Sequence, residues 1–362
     1  MTPSADPIEA VSQRLERFTS AQADAVAGMG AEAAGLVADA VACLQGGKRL
    51  RARFCITGWQ SVAEHSARGT TPDDSVVTAA SALEIFQAAA LVHDDLIDNS
   101  DTRRGRPSAH RRLEAAHRAA GWAGDAEAFG RAASVLLGDL LVAWSDDLLE
   151  EGLRDATYAA DARTAYGVMR RDVTVGQFLD IAEEAAYLTA DDAEQAARAL
   201  RIASLKSARY SVQQPLLIGA ALAGATPAQH DALSAFGHPI GLAFQLRDDV
   251  LGVFGDEAVT GKPSGDDLRE GKRTLLIAYA REALPSGPRR VLDELLGDPA
   301  LDAGQIASLQ QTIIDTGALA RVESHIAEYS LEADRALRGA PLGSSAVGRL
   351  RDLALAATKR AA

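Results

Sequence analysis

Apolar residues recur every three to four positions along almost the whole chain, and strict alternation is nearly absent. That spacing puts the apolar side chains on one stripe of a helix and predicts an all-α protein. The pattern predicts helices over 8–29, 31–44 and from 48 through 59, the second stopped by Gly46-Gly47. Residues 66–74 are polar and read as a loop. Helices are expected over 76–98, 126–152, 159–185 and 190–222, with Pro215 kinking the last. Residues 233–254, 274–283, 288–296, 306–338 and 345–359 complete the set. Between 255 and 271 the chain carries four Gly and one Pro, which marks a loop. No linker-like segment and no fixed-period repeat interrupts the pattern. The expectation is one all-α domain, 1–362, a bundle of roughly ten or more helices packed around a core.

Composition narrows the function. The 362 residues are 47% hydrophobic and 24% charged, ordinary for a globular chain with a buried core. A formal net charge of -13 argues against a nucleic-acid partner. Cys43 and Cys55 are the only cysteines and lack metal-type spacing, which suits a reducing compartment. Residues 1–10 have neither the basic nor the apolar part of a signal peptide. No run approaches the ~18 apolar residues of a spanning helix. A cytoplasmic protein without stable membrane insertion is expected.

The chemistry concentrates in a few polar clusters. His93-Asp94-Asp95-Leu96-Ile97-Asp98 follows the apolar run Ala88-Ala89-Ala90-Leu91-Val92. Asp94 and Asp98 are i, i+4 and share a helix face. Carboxylates there need a counter-ion, and a hard cation such as Mg²⁺ takes oxygen ligands and shares them with phosphates. Arg103 and Arg104 follow, suited to bidentate phosphate contacts. A second cluster is Gln245, Asp248 and Asp249, with Gly252 where a third carboxylate would repeat the first motif. Behind it come Lys262, Asp266, Asp267 and Gly271-Lys272-Arg273-Thr274. Gly46-Gly47-Lys48-Arg49-Leu50-Arg51 opens a helix with cations near its free N–H groups. Lys206-Ser207 lies in an apolar helix shortly before Pro215. Gly176-Gln177-Phe178-Leu179-Asp180 reads as an interhelical hydrogen bond or as a substrate contact. Taken alone, each cluster also reads as a solvated helix end, and His93 and His110 as packing residues. Together they make two acidic helix faces, two cationic clusters and an apolar wall. That suits two diphosphate substrates, one activated by several Mg²⁺ ions and one held by side chains.

These residues resemble the motifs of the all-trans isoprenyl diphosphate synthases, or polyprenyl synthetases. The likeness covers Asp94-Asp95-x-x-Asp98, then four residues, then Arg103-Arg104-Gly105-x-Pro107. It extends over Gly46–Arg51, Gly176–Asp180, Lys206-Ser207, Phe244–Asp249 and Gly261–Thr274, in the family's order. The resemblance implies the isoprenoid synthase type I fold, a cytoplasmic homodimer and about three Mg²⁺ ions per site. It implies Asp94, Asp95, Asp98, Asp248 and Asp249 as metal residues. Arg103, Lys206, Ser207, Gln245, Lys262 and Lys272 would serve the allylic diphosphate. Lys48, Arg51, Gln87 and Arg104 would hold isopentenyl diphosphate. Among these, Asp94, Asp98, Arg103, Lys206 and Asp248 would be catalytic. Two departures stand out: Gly252 replaces the last aspartate of the second motif, and Ser207 replaces a usual Thr. Ala90 and Ala89, four and five positions before the first motif, leave the pocket open where bulk would stop growth at C10 or C15. Phe86, eight residues before Asp94 and ~12 Å lower on a helix, becomes the next floor. A product near C20 is therefore expected, with farnesyl or longer-chain synthesis as the alternatives. A class I terpene cyclase would need an Asn/Asp-x-x-Ser/Thr-x-x-x-Glu pattern that 248–255 lacks. A non-catalytic regulatory subunit would have lost parts of the first motif, which here is complete.

Overall fold

The computed structural model describes residues 6–189, 191–256 and 264–358. Two compact units are present, one of Met1–Arg163 with Ile218–Gly224, the other of Thr164–Leu217 with Ala225–Ala362.

The first unit opens with α1 (Pro7–Val26), capped by Asp6, whose carboxylate accepts the Ile8 N–H at 2.9 Å. Then come α2 (Ala31–Cys43), α3 (Leu50–His65) and α4 (Asp74–Ile97). Asp73 caps α4 by accepting the Val76 N–H at 3.0 Å. A hairpin of β1 (Thr102–Arg103) and β2 (Arg106–Pro107) precedes α5 (Ala109–Ala119), α6 (Ala126–Leu153) and the start of α7 (Ala159–Ala186). Helix α4 is the core, packed by α1, α3, α5 and α6. Val76, Ala79, Leu83, Ile85, Phe86 and Ala89 are buried along it. Helix α6 closes on α4 through small residues: a Cβ on Gly152 would meet Thr78 at 2.9 Å, and one on Gly138 would meet the His93 ring at 2.1 Å.

Helix α4 corrects the expectation about apolar runs. It is long and apolar enough to cross a membrane, by length and composition alone, yet 78% of its apolar window is buried inside the protein. The sequence reads the same for a core helix and a spanning one; tertiary packing makes this one the core of its unit.

The second unit continues α7 and then α8 (Gln195–Ile202), a π-helical segment over Ala203–Gln213, and the first four residues of α9 (Gln214–Leu222), which from Ile218 on belongs to the first unit. Helix α10 (Pro227–Phe254) starts with a reciprocal Thr226–Gln229 capping box. After it come α11 (Asp266–Glu270), α12 (Leu275–Ala283), α13 (Ser286–Leu295), α14 (Ala303–Asp315), α15 (Ala318–Ala336) and α16 (Ser344–Thr358). The core gathers Leu246, Val250 and Val253 of α10 with Leu268, Leu275, Leu276, Ile313, Val322 and Ile326. Arg247 ties α10 to α15 through a bidentate pair with Glu323, at 2.6 and 2.7 Å.

The all-α expectation holds, with local corrections. The β1–β2 hairpin adds two short strands. Helix α5 lies where no helix was expected: its buried stripe carries only Ala109 and Leu113 as apolar members beside His110, Glu114 and His117. The helix expected over 190–222 is broken into 3-10, α and π pieces. The π segment ends two residues before Pro215, where a kink was expected. The helix expected over 306–338 is two helices, because Gly317 adopts φ +75° between them. The loop expected over 255–271 contains α11.

Candidate active site

In the first unit the apolar helix α4 ends in its carboxylates. Gln87, Ala90, Leu91, Asp94 and Asp98 form a half-buried stripe on one face, while Ala89 and Phe86 are buried. Asp95 is almost fully buried and accepts Arg103 Nε at 2.7 Å. Arg103 Nη2 also reaches Asp94 Oδ2 at 3.3 Å and contacts Asp95. Arg103 therefore acts as the counter-ion of the first cluster.

The hairpin explains how two adjacent arginines serve different places. Thr102 pairs with Pro107 and Arg103 with Arg106, leaving a two-residue turn. Arg104 and Gly105 have φ of +54° and +70°, the left-handed pair that a tight hairpin of twisted strands requires. Arg103 folds back on the aspartates. Arg104 extends to the Gly46–Arg51 segment, donating to the Gln45 carbonyl at 3.3 Å. Its guanidinium lies over Gly47, where a Cβ would stand 2.9 Å from Nη2.

Around Arg104 the cations crowd. Burial pushes its pKa below the ordinary arginine value, and neighbouring Arg103, Arg49 and Arg51 push the same way against the opposing charge of Glu84. Glu84 is buried, accepts the Ala52 N–H at 3.0 Å and lies 3.7 Å from Arg49. Arg49 adopts φ +51° and donates to the Leu44 carbonyl at 2.8 Å. Glu84 faces this group of arginines, and exposed Lys48 adds a further cation beside them, a setting for a polyanion. Arg49 and Glu84 were not singled out from sequence. The available signal was Glu84 itself, a lone carboxylate in the middle of the apolar α4.

The second unit carries the other cluster, on α10. Gln245 donates to Asp249 Oδ1 at 2.7 Å. Burial, then the charge of nearby Asp267, raises the Asp249 pKa to about 8. Lys206 lies in the π segment and donates to Asp180 at 2.6 Å, with Ser207 buried beside it. A Cβ on Gly176 would sit 2.4 Å from the Lys206 backbone nitrogen. The Gly176–Asp180 motif is thus explained: the glycine lets α7 touch the π segment, and the aspartate one turn on holds the lysine. Lys272 pairs with Glu270 at 2.6 Å and lies 3.8 Å from Asp267. Lys262 lies outside the described residues.

The donor set suits Mg²⁺. Among the described residues no three His, Cys, Asp or Glu side chains form a ready-made metal cluster. What the chain offers is hard carboxylate oxygens in small groups, which fits an ion that keeps waters and takes phosphate oxygens as its remaining ligands.

The family model described as polyprenyl synthetase matches residues 37–313. The short chain isoprenyl diphosphate synthase of Methanocaldococcus jannaschii is 29% identical over 253 residues, covering 70% of this chain and 68% of that protein. The geranylgeranyl diphosphate synthase of Mycobacterium tuberculosis is 36% identical over 213 residues, 59% of this chain and 53% of that protein. The crystal structure of geranylgeranyl pyrophosphate synthase from Corynebacterium glutamicum, complexed with isoprenyl diphosphate and magnesium, superposes with a TM-score of 0.91. It is 39% identical and covers 98% of both chains.

Proposed function

Since this chain belongs to the polyprenyl synthetase family, we propose that it is a Mg²⁺-dependent prenyltransferase joining isopentenyl diphosphate to an allylic diphosphate. The observation that carries this reading is the split of the adjacent arginines. Arg103 goes to the aspartates at the end of α4, and Arg104 to the cations of Gly46–Arg51. Two diphosphates need two such anion sites side by side.

Asp94, Asp95 and Asp98 of α4, and Asp248 and Asp249 of α10, would hold the Mg²⁺ ions, about three in number. Bound Mg²⁺ would neutralise the leaving diphosphate. Arg103, Lys206, Ser207, Gln245, Lys262 and Lys272 would bind that same group. Arg103 would exchange its contact with Asp94 for phosphate oxygens, and Asp180 holds the Lys206 ammonium in place at 2.6 Å. The allylic C–O bond then breaks, and its electron pair leaves with the diphosphate. Lys48, Arg51, Gln87 and Arg104 would fix isopentenyl diphosphate so that its double bond attacks the allylic cation. A C–C bond forms, and a proton is lost to the released diphosphate, no side chain being an evident base.

The product we propose is geranylgeranyl diphosphate. Ala90 and buried Ala89 leave the first turns below Asp94 open, and Phe86 supplies bulk one turn further down α4. We further propose a single catalytic domain over 1–362 that works as a cytoplasmic homodimer. The free thiols of Cys43 and Cys55 suit a reducing compartment. Val135 and Leu136 of α6, 44% and 63% exposed, supply apolar surface for a second copy.

The test is an assay with labelled isopentenyl diphosphate and dimethylallyl, geranyl or farnesyl diphosphate, with and without Mg²⁺. Turnover is expected only with the metal, and Asp94→Ala should lose at least ~10²-fold in kcat. Near-wild-type turnover by a folded Asp94→Ala variant would sink the assignment.

A further inference from the structure

The β1–β2 hairpin carries both Arg103 and Arg104, yet each of its strands is only two residues long. A hairpin that short is not stable by itself, so its position depends on what fastens its ends. Two adjacent arginines in the first turn of α5 do so. At the entry, Arg111 Nε donates to Asp101 Oδ1 at 2.6 Å, and the Ser108 N–H closes on the Asp101 carbonyl at 2.9 Å. At the exit, Arg112 Nη1 donates to the Pro107 carbonyl at 3.0 Å.

The two fastenings differ in reach. The Asp101 side chain is 62% exposed, so its pair with Arg111 is screened by solvent and joins only neighbouring segments. Half-buried Arg112 goes further. Its Nε donates to Asp39 Oδ1 at 3.1 Å and its Nη2 to Cys43 Sγ at 3.2 Å. Asp39 and Cys43 are i, i+4 on α2 and share a face, and the planar guanidinium fork meets both while it holds Pro107. Helix α2 ends at Cys43, just ahead of Gly46–Arg51. One guanidinium therefore ties the hairpin to the helix that leads into the cationic segment. Arg104 crosses the same gap from the hairpin turn, to the Gln45 carbonyl and over Gly47.

We propose that Arg112 is a positioning residue for isopentenyl diphosphate: by holding Pro107 against Asp39 and Cys43, it fixes the distance over which Arg104 reaches the Gly46–Arg51 segment. This inference rests on the prenyltransferase reading and adds to it a residue outside both proposed anion sites. The plain alternative is that Arg112 only packs α5 on α2.

Steady-state kinetics of the full chain, varying each substrate in turn, separates these roles. Arg112→Gln keeps the stem but loses the fork. It should raise KM for isopentenyl diphosphate about tenfold, with kcat and the allylic KM within about twofold of wild type, since a 1 Å misplacement can cost ~10²-fold. Asp39→Ala cuts the arm to α2 without threatening that helix, because Ala is the best helix former. It should raise the same KM about threefold, as loss of a partly screened pair does. In an Arg104→Ala background, Arg112→Gln should add less than about twofold, because the group it positions is gone. An equal effect on both substrates overturns the proposal, as does a lowered melting temperature with both KM values unchanged. So does a further rise of about tenfold in the Arg104→Ala background. If Arg112→Gln does not fold, Asp39→Ala decides alone. Wild type that fails to condense the two diphosphates would overturn the proposed function together with this inference. Wild type that condenses them, with every KM unchanged in both variants, removes only the inference.

Discussion

At the scale of single residues, neighbours in sequence have different partners. Arg103 and Arg104 are adjacent, yet the left-handed turn at Arg104-Gly105 sends them to separate partners, the Asp95 carboxylate and the Gln45 carbonyl. Arg103→Ala should mainly impair use of the allylic diphosphate, and Arg104→Ala should mainly raise KM for isopentenyl diphosphate. Each removes a charge-assisted contact worth ~1.5–3 kcal/mol, roughly a ten- to hundredfold effect. Steady-state kinetics varying each substrate in turn checks this, and identical patterns in the two variants would contradict it. His238 shows the same dependence on surroundings. Its Nε2 lies 2.8 Å from Ser204 Oγ. Burial, then the charge of Arg209, lowers its pKa from 6.5, against the opposing charge of Glu332. A lowered histidine pKa stabilises the fold above the unfolded value and loses that contribution as pH falls below about 6.5. The melting temperature should therefore drop more between pH ~7.5 and ~5.5 in wild type than in His238→Gln.

At the scale of elements, glycines set the distances between helices in the second unit. A Cβ on Gly241 would sit 2.3 Å from the Ala208 carbonyl oxygen, and one on Gly237 would sit 2.9 Å from Gln213 Cα. With Gly176, they press α10 and α7 against the π segment that carries Lys206. Backbone atoms cannot swing aside as a flexible side chain can. Gly176→Ala should therefore cost about 1–3 kcal/mol and displace Lys206 from Asp180. The expected readout is a lower melting temperature together with a raised KM for the allylic substrate. A stability loss with unchanged allylic kinetics would show that the contact serves packing alone.

At the scale of the whole molecule, the remaining variable is how far a product chain can grow. Ala90 belongs to the half-buried stripe of α4 with Asp94, and Phe86 lies two turns below the first aspartate. An overlap of the growing chain with a packed aromatic wall costs ~1–3 kcal/mol, slowing the next addition roughly ten- to a hundredfold. Phe86→Ala should lengthen the product beyond C20, and Ala90→Phe should shorten it toward C15. Sizing the dephosphorylated alcohols from labelled isopentenyl diphosphate decides it. An unchanged product from Phe86→Ala would place the floor on another residue.

The all-α class, most helix boundaries and the Asp94/Asp98 pair were legible because helical periodicity and i, i+4 spacing are local properties of the chain. Helix α5 was not, since a stripe of His110, Glu114 and His117 carries no hydrophobic signal although packing buries it. Nor was the break at Gly317, because a glycine inside a helical pattern costs only ~1 kcal/mol and its surroundings choose the conformation. The contacts that build the site join residues far apart in sequence: Glu84 with Arg49, and Asp180 with Lys206. Sequence determined which of these residues carry charge. Only the tertiary structure decided which charges meet, because close packing, rather than any local preference, brings distant backbones within reach.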